Sequence, residues 1–338
     1  MRILVIRFSS IGDIVLTSPV LRKIKETIND SEIHFLVKPQ FEEVIKDNLR
    51  IQKVHLLQRN ILLTIEELKK YNFDYILDLQ NNLKSKIISS LLGKEYSTFP
   101  KYNLQKWLMV NFKFKCKIPH IIERYAWALK KLFPEDQLKN SHLCLEYFLS
   151  DSAQKEAQSL IQQMHFNYLN NSYGIILGAT YATKRWLPEH FIELINLYQK
   201  PVILLGGLAD ISVAQKITNY IKVPYLNAVG LLSLPGSAAL MQHCRFVLTH
   251  DTGLMHIAAA LKIPIVCLWG NTVPEFGMTP YGTLYQIIEN KNLSCRPCSK
   301  LGFSKCPQKH FSCMREIKPS QVLGKFQELE EHLNLQSQ

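Results

Sequence analysis

The chain twice repeats one alternation, a short and mainly apolar run followed by a stretch with helical spacing of apolar residues. In the first half the runs are Ile3–Ile6, Glu32–Val37, Lys53–Leu57 and Asp74–Leu79. Helical patterns lie between them, to about Glu26, over Ile61–Lys70 and over Leu83–Leu92. In the second half Tyr173–Leu177, Val202–Leu205, Arg245–Thr249 and Ile265–Trp269 alternate with helical patterns over Glu189–Tyr198, Ile211–Ile221 and Gly253–Leu261. A strand that is apolar on both sides must be covered on both faces, and parallel sheets between helices do this. The expected class is therefore α/β, with two similar halves. A length of 338 residues agrees, since ~150 residues make one domain. Between residues 134 and 172 only Cys144–Phe148 has a strand-like pattern, and a helix over Ala153–Met164 follows. The expected division is 1–165 and 166–318, with 319–338 as a C-terminal helix that packs back on the first domain.

The charge narrows the partners. Forty basic against 28 acidic residues give +12, which points to an anionic partner such as a phosphorylated small molecule, an acidic membrane surface or nucleic acid. No apolar run is long enough to cross a bilayer. The opening Met1–Ile6 run is cut by Arg7 with no small-residue cleavage site after it, so it reads as a buried strand and not as an export signal. The expected compartment is the cytoplasm, where the eight cysteines stay mostly reduced.

In open parallel sheets ligands sit beyond the carboxyl ends of the strands, so the turns there carry the chemistry. The first is Arg7-Phe8-Ser9-Ser10-Ile11-Gly12-Asp13. With Gly12 alone it lacks the dinucleotide fingerprint, which disfavours a nicotinamide-dependent dehydrogenase. Asp13 reads either as a reactive carboxylate or as an ordinary acid at a helix start. The turn from Gly178 to Trp186 offers Thr180, Lys184 and Arg185, two adjacent cations that suit a diphosphate or form a solvated pair. Gly206-Gly207 is a glycine turn open to a nucleotide. His250-Asp251-Thr252-Gly253 leads a strand into a helix whose exposed N–H groups can seat a phosphate.

Five stretches together, Met1–Pro19, Phe73–Ser85, Gly178–Phe191, Thr249–Leu261 and Gly270–Gly282, resemble glycosyltransferase family 9, the bacterial heptosyltransferases of lipopolysaccharide core assembly. The resemblance implies a GT-B fold, two Rossmann-like domains facing across a cleft, the first for the acceptor and the second for a nucleotide sugar. It implies inversion at the anomeric carbon with no catalytic metal or other required cofactor, and ADP-heptose as the usual donor. Asp13 matches the general base. Thr180, Lys184, Gly206, Asp251, Thr252, Gly253 and His256 match the donor side, and Ser10, Gly12, Asp78, Gln80 and Lys84 the acceptor side. The chain departs from the family at Asn81-Asn82, where a glycine is frequent after Asp-x-Gln, and in the extra Leu187 before Pro188. The implied partners are a nucleotide sugar and an anionic glycolipid at the inner face of the cytoplasmic membrane, with no nucleic acid.

The bare chemistry agrees. Inverting transfer needs one carboxylate to take the acceptor hydroxyl's proton, and cations or N–H groups to stabilise the departing diphosphate. Asp13 and Lys184 supply these from different halves, and closure of the domains would join them. A sugar-nucleotide epimerase on the same fold and a nucleic-acid-binding module are the alternatives. Basic residues spread over the whole chain weigh against the second.

Two stretches remain. Cys295, Cys298, Cys306 and Cys313 crowd one loop, with the spacing either of a structural Zn or Fe site or of reduced loop thiols. The stretch from Lys101 to Lys131 carries eight basic residues, one acid and six aromatic ones. It is expected at the rim of the acceptor cleft against an anionic membrane, or as a helix pair with a solvated cationic face.

Overall fold

The computed structural model describes residues 1–133 and 143–336. The chain forms two compact units: Met1–Tyr102 with Pro119–Phe148, and Asn103–Ile118 with Leu149–Gln338. The boundary thus departs from the expected one in two places. The helix Asp151–Gln163 belongs to the second unit, where it packs on the helix Leu234–Met241. The segment Asn103–Ile118, expected in the first unit, also belongs to the second. Residues 134–142 lie outside the described residues, and Cys144–Phe148, strand-like in its pattern, forms no strand.

The first unit holds five strands: β1 (Arg2–Ile6), β2 (Glu32–Val37), β3 (Lys53–Leu56), β4 (Tyr75–Asp78) and β5 (Tyr96–Thr98). They pair in the order β3-β2-β1-β4-β5, all parallel. The single helix expected after β1 is two, Ile11–Val15 and Ser18–Thr27. Pro19 lacks an N–H and its ring would collide with the preceding turn. The chain therefore restarts a helix with Pro19 in its first turn, and the Thr17 hydroxyl donates to the Ile14 carbonyl at 2.7 Å. Leu4, Ile6, Leu36, Ile76 and Ile88 are wholly buried in one core. Residues 143–148 are tied to this unit by Glu146, whose carboxylate takes Arg50 at 2.6 Å and Arg22 at 3.1 Å.

The second unit holds β6 (Tyr173–Ile176), β7 (Val202–Leu205), β8 (Tyr225–Asn227), β9 (Val247–His250), β10 (Ile265–Trp269) and β11 (Tyr285–Glu289). Their order is β11-β10-β9-β6-β7-β8, again all parallel. The last helix, Pro319–Gln336, packs on the helix Pro188–Tyr198 and on β10 and β11. Its Val322, Phe326 and Leu329 are wholly buried in the second unit's core. This replaces the expectation that it packs back on the first domain.

Buried histidines give the fold a pH dependence. The His34 ring Nδ1 lies 2.8 Å from Nε2 of His55, whose Nδ1 lies 3.2 Å from Glu67. One neutral chain satisfies all three, each Nδ1–H donating onward. Burial, then the charge His55 would carry, push His34 from 6.5 to about 4. Burial alone leads in pushing His250 to about 3. Below about 6.5 the unfolded chain therefore binds protons that the folded chain refuses, so stability is lost as pH falls. The melting midpoint should drop as pH goes from about 6.5 toward about 4, and His34→Gln should flatten that drop. An equally steep drop in the variant would remove His34 from the cause.

Candidate active site

Each sheet has one place where its strand order reverses, between β1 and β4 in the first unit and between β6 and β9 in the second. Loops leaving the carboxyl ends at such a point diverge and open a crevice, the usual ligand position in open α/β sheets. The loops at these two points are the ones that the sequence marks.

At the first point β1 leads into the Ser9–Asp13 turn. Ser10 caps the helix Ile11–Val15, and Asp13, three residues on, reaches back to it. The Ser10 hydroxyl donates to Asp13 Oδ2 at 2.9 Å, and Arg7 Nη2 meets Oδ1 at 2.8 Å. The Asp13 side chain is 23% exposed, so this carboxylate is oriented on both oxygens yet open to solvent. Arg7 is itself locked: it donates to the Leu79 carbonyl at 2.6 Å and the Ser9 carbonyl at 2.7 Å, and lies over the buried Tyr125 ring.

The neighbouring loop follows β4. Asp78 is wholly buried, and its oxygens accept from the Gln80 and Asn81 N–H groups and the Ser85 hydroxyl. These bonds make Asp78 the centre of the loop's own structure. Burial pushes its carboxyl upward against those hydrogen bonds. Gln80 accepts from the Phe8 N–H at 2.9 Å and so joins the two loops. Asn81 has φ +48°, a left-handed conformation that asparagine tolerates better than most residues. That accounts for a glycine-type position filled by asparagine. Gly12 is buried inside the short helix, and Lys84 is exposed on the helix Leu83–Leu91.

Three cations here escaped the sequence reading as site residues: Arg7, Lys101 and Arg124. Burial pushes the Lys101 ammonium down and Arg7 adds to it, while Asp78 and Asp13 oppose them. Arg124 is buried, and Asp13 and Arg7 both act on it. Arg7 had a signal in the sequence as the charge that ends the first apolar run, and Lys101 and Arg124 fall in the basic stretch expected at the acceptor rim.

At the second point the Gly178–Trp186 turn faces the His250–Gly253 turn. Lys184 Nζ meets Asp251 Oδ2 at 2.5 Å and also donates to the Asp251 carbonyl at 3.2 Å. The Thr272 hydroxyl donates to the same carboxylate oxygen at 2.9 Å. Arg185 pairs with Asp210 at 3.3 Å, and Asp210 also accepts from the Gly207 N–H. A Cβ on Gly178 would stand 2.3 Å from Asp210 Oδ2, so only glycine lets this turn close on that carboxylate. Thr252 caps the helix Gly253–Ala260 in extended conformation, and its buried hydroxyl oxygen has no partner among the described residues. The helix's first N–H groups and this hydroxyl are donors that can receive an anion, next to the Asp251 that holds Lys184. His256 lies buried in the same helix, Gly206 is buried at the end of β7, and Thr180 is exposed. His250 accepts the Trp186 N–H on Nε2 at 2.9 Å, which ties the two turns together.

The cysteine-rich loop buttresses this site. Arg296, buried within the Cys-x-x-Cys, donates to the carbonyls of Gly270 at 2.6 Å and Thr272 at 2.8 Å and pairs with Glu289. The Cys298 N–H donates to the Asn271 carbonyl, and the Thr183 hydroxyl meets Asn271 and Phe303. The thiols themselves do not gather as a metal site requires. Among the described residues no three His, Cys, Asp or Glu side chains could hold a metal ion. Cys295 lies 3.9 Å from His310, while the Cys298 thiol turns to the Cys295 carbonyl at 3.1 Å. Burial pushes Cys298 up to about 11 and Cys313 up to about 12, and the neighbouring cysteines add to both. As placed, the four thiols do not fit the structural Zn or Fe that their spacing suggests.

Comparison with known proteins follows the same lines. Residues 61–307 match the model of glycosyltransferase family 9 (heptosyltransferase). Over 295 residues the chain is 26% identical to lipopolysaccharide heptosyltransferase 1 of Campylobacter coli, across 80% of this chain and 84% of that one. Among solved structures, a family 9 glycosyltransferase from Veillonella parvula superposes with a TM-score of 0.79 at 19% identity, over 97% of this chain and 96% of that one. The E. coli ADP-heptose lps heptosyltransferase II superposes with a TM-score of 0.75 at 20% identity, over 99% of this chain and all of that one. The fold is of the GT-B type, built from two Rossmann-like units.

Proposed function

Because this chain belongs to glycosyltransferase family 9, a family of enzymes, we propose that it transfers a heptose from ADP-heptose to an anionic acceptor of the lipopolysaccharide core type, with inversion. The observation that carries this reading is the pairing of chemistries at the two strand-order reversals. One holds an oriented, solvent-open carboxylate, Asp13. The other holds a lysine beside a helix N-terminus, Lys184 with Thr252-Gly253. Asp13 takes the proton of the acceptor hydroxyl as that oxygen attacks the anomeric carbon from the face opposite the leaving group. The bond to the diphosphate breaks, and its growing charge falls on Lys184 and the N–H groups of the helix start. Asp251 and Thr272 hold Lys184 in place for this.

Donor and acceptor follow from two supports. The names of the relatives give heptose, ADP and lipopolysaccharide. The excess of cations around Asp13, with Arg7, Lys101 and Arg124 against Asp13 and Asp78, favours an acceptor bearing carboxylate or phosphate groups. Ser10 and Gln80 stand at the same loops and complete the acceptor side. No catalytic metal is needed, because lysine and helix N–H groups take the place of a cation on the diphosphate, and the chain lacks an Asp-x-Asp pair.

The test is a panel of sugar nucleotides in thermal-shift and transfer assays, with a heptose-free core glycolipid as acceptor. ADP-heptose should raise the midpoint most, since a ligand that binds only the folded state stabilises it. Transfer should persist with EDTA present. A different sugar nucleotide giving the largest shift would replace the donor. Conversion of the donor sugar without any acceptor would replace the reaction with epimerisation.

A further inference from the structure

The segment Asn103–Ile118 is the part of the second unit that this chemistry leaves unused. Its helix, Asn103–Phe112, buries only Met109. Leu104, Trp107, Phe112 and Phe114 are 66%, 47%, 58% and 60% exposed. Such side chains cost free energy in water unless something covers them. The three rings form one surface, with centroids 5.3 Å apart for Trp107–Phe112 and 6.2 Å for Phe112–Phe114. Around them the sequence from Asn103 to Ile118 places four lysines and no acidic residue. Lys115 and Lys117 are exposed. Lys113 instead holds the segment in place, donating to the carbonyls of Val110 at 2.6 Å, Pro297 at 2.8 Å and Cys295 at 3.2 Å.

We propose that this segment docks the protein on an anionic bilayer surface, the aromatic rings and Leu104 entering at headgroup level and Lys115 and Lys117 facing the lipid phosphates. The charge selects this occupant. A second copy meeting the patch about a two-fold axis would bring lysines against lysines, whereas anionic headgroups complement them. The rings favour lipid over single-stranded nucleic acid, because they pack on one another and do not stand apart as stacking platforms for bases. Tryptophan and phenylalanine beside lysine is also the composition of interfacial segments that lie on a membrane. No helix among the described residues is long and apolar enough to cross one. Because the segment is anchored by Lys113, little ordering is lost on docking. The inference rests on this segment alone and stands or falls apart from the donor and acceptor assigned above.

Sedimentation with vesicles of phosphatidylglycerol and phosphatidylcholine, against phosphatidylcholine alone, tests it on the full chain. The parent should pellet with the anionic vesicles only. Lys115→Gln/Lys117→Gln should lower partitioning about 25-fold, at about fivefold per lysine. Trp107→Ser/Phe112→Ser/Phe114→Ser should lower it at least about tenfold. Thermal melting and ADP binding by calorimetry should be unchanged in the lysine variant, so that lost partitioning is not lost folding. Two results would overturn the proposal. One is partitioning of both variants equal to the parent's. The other is no vesicle binding together with either an oligonucleotide held through Lys115 and Lys117 or a dimer that the aromatic variant dissociates.

Discussion

Asp13→Asn should lower heptosyl transfer by ~10²–10⁴, the usual cost of losing a general base, and leave ADP-heptose affinity nearly intact. The substitution is close to isosteric. The amide oxygen can still accept from Arg7 and the amide nitrogen can donate to the Ser10 hydroxyl, so the geometry of the turn is retained. What is lost is the ability to hold a proton. Donor affinity is spared because Lys184, Thr252 and Gly253 belong to the other unit. Single-turnover rates, with calorimetry of ADP-heptose beside them, separate the two effects. Wild-type turnover in the variant would reduce Asp13 to a capping acid paired with Arg7.

Lys184→Ala should weaken ADP binding by more than one charge-assisted hydrogen bond is worth, which is ~1.5–3 kcal/mol or about 10- to 150-fold. The added cost comes from Asp251. With Lys184 present their charges cancel at 2.5 Å. Without it a carboxylate only 14% exposed stands unneutralised beside the proposed diphosphate seat. Lys184→Ala/Asp251→Asn should therefore bind ADP more tightly than Lys184→Ala alone. Calorimetry on the parent, both single variants and the double variant completes the cycle. Unchanged affinity in Lys184→Ala would remove it from the site. A double variant weaker than Lys184→Ala would show that Asp251 contacts the ligand by itself.

The central strands were legible because their physics is local. Glu32–Val37, Val202–Leu205 and Ile265–Trp269 lie where their mainly apolar runs put them. The edge strands β5, β8 and β11 were not, since Tyr96–Thr98, Tyr225–Asn227 and Tyr285–Glu289 are short or half polar. An edge needs cover on fewer sides and blunts its own pairing. The helix Leu234–Met241 was hidden for the opposite reason. Seven of its eight residues are buried, so no polar face sets a period. At the site, Asp13, Lys184 and Asp251 could be picked out because each follows a strand end. Arg124, Thr272 and Arg296 could not. They act through partners far along the chain, such as Arg296 on the Gly270 carbonyl, and spacing does not carry such contacts.

The path of the chain sets a timetable for synthesis. Lys113 closes on the carbonyls of Cys295 and Pro297, which lie 182 and 184 residues further on. At ~5–20 residues per second, Asn103–Ile118 leaves the ribosome roughly 10–40 s before its anchor is made. During that interval a basic, aromatic segment waits without its place in the second unit, while Pro119–Phe148 has already emerged to finish the first. A nascent chain stalled in this window would hold a completed first unit and an uncovered tether, the species most exposed to chaperones and proteases. A fragment ending at Phe148 would carry the same orphaned segment permanently, so no single cut separates the two units cleanly.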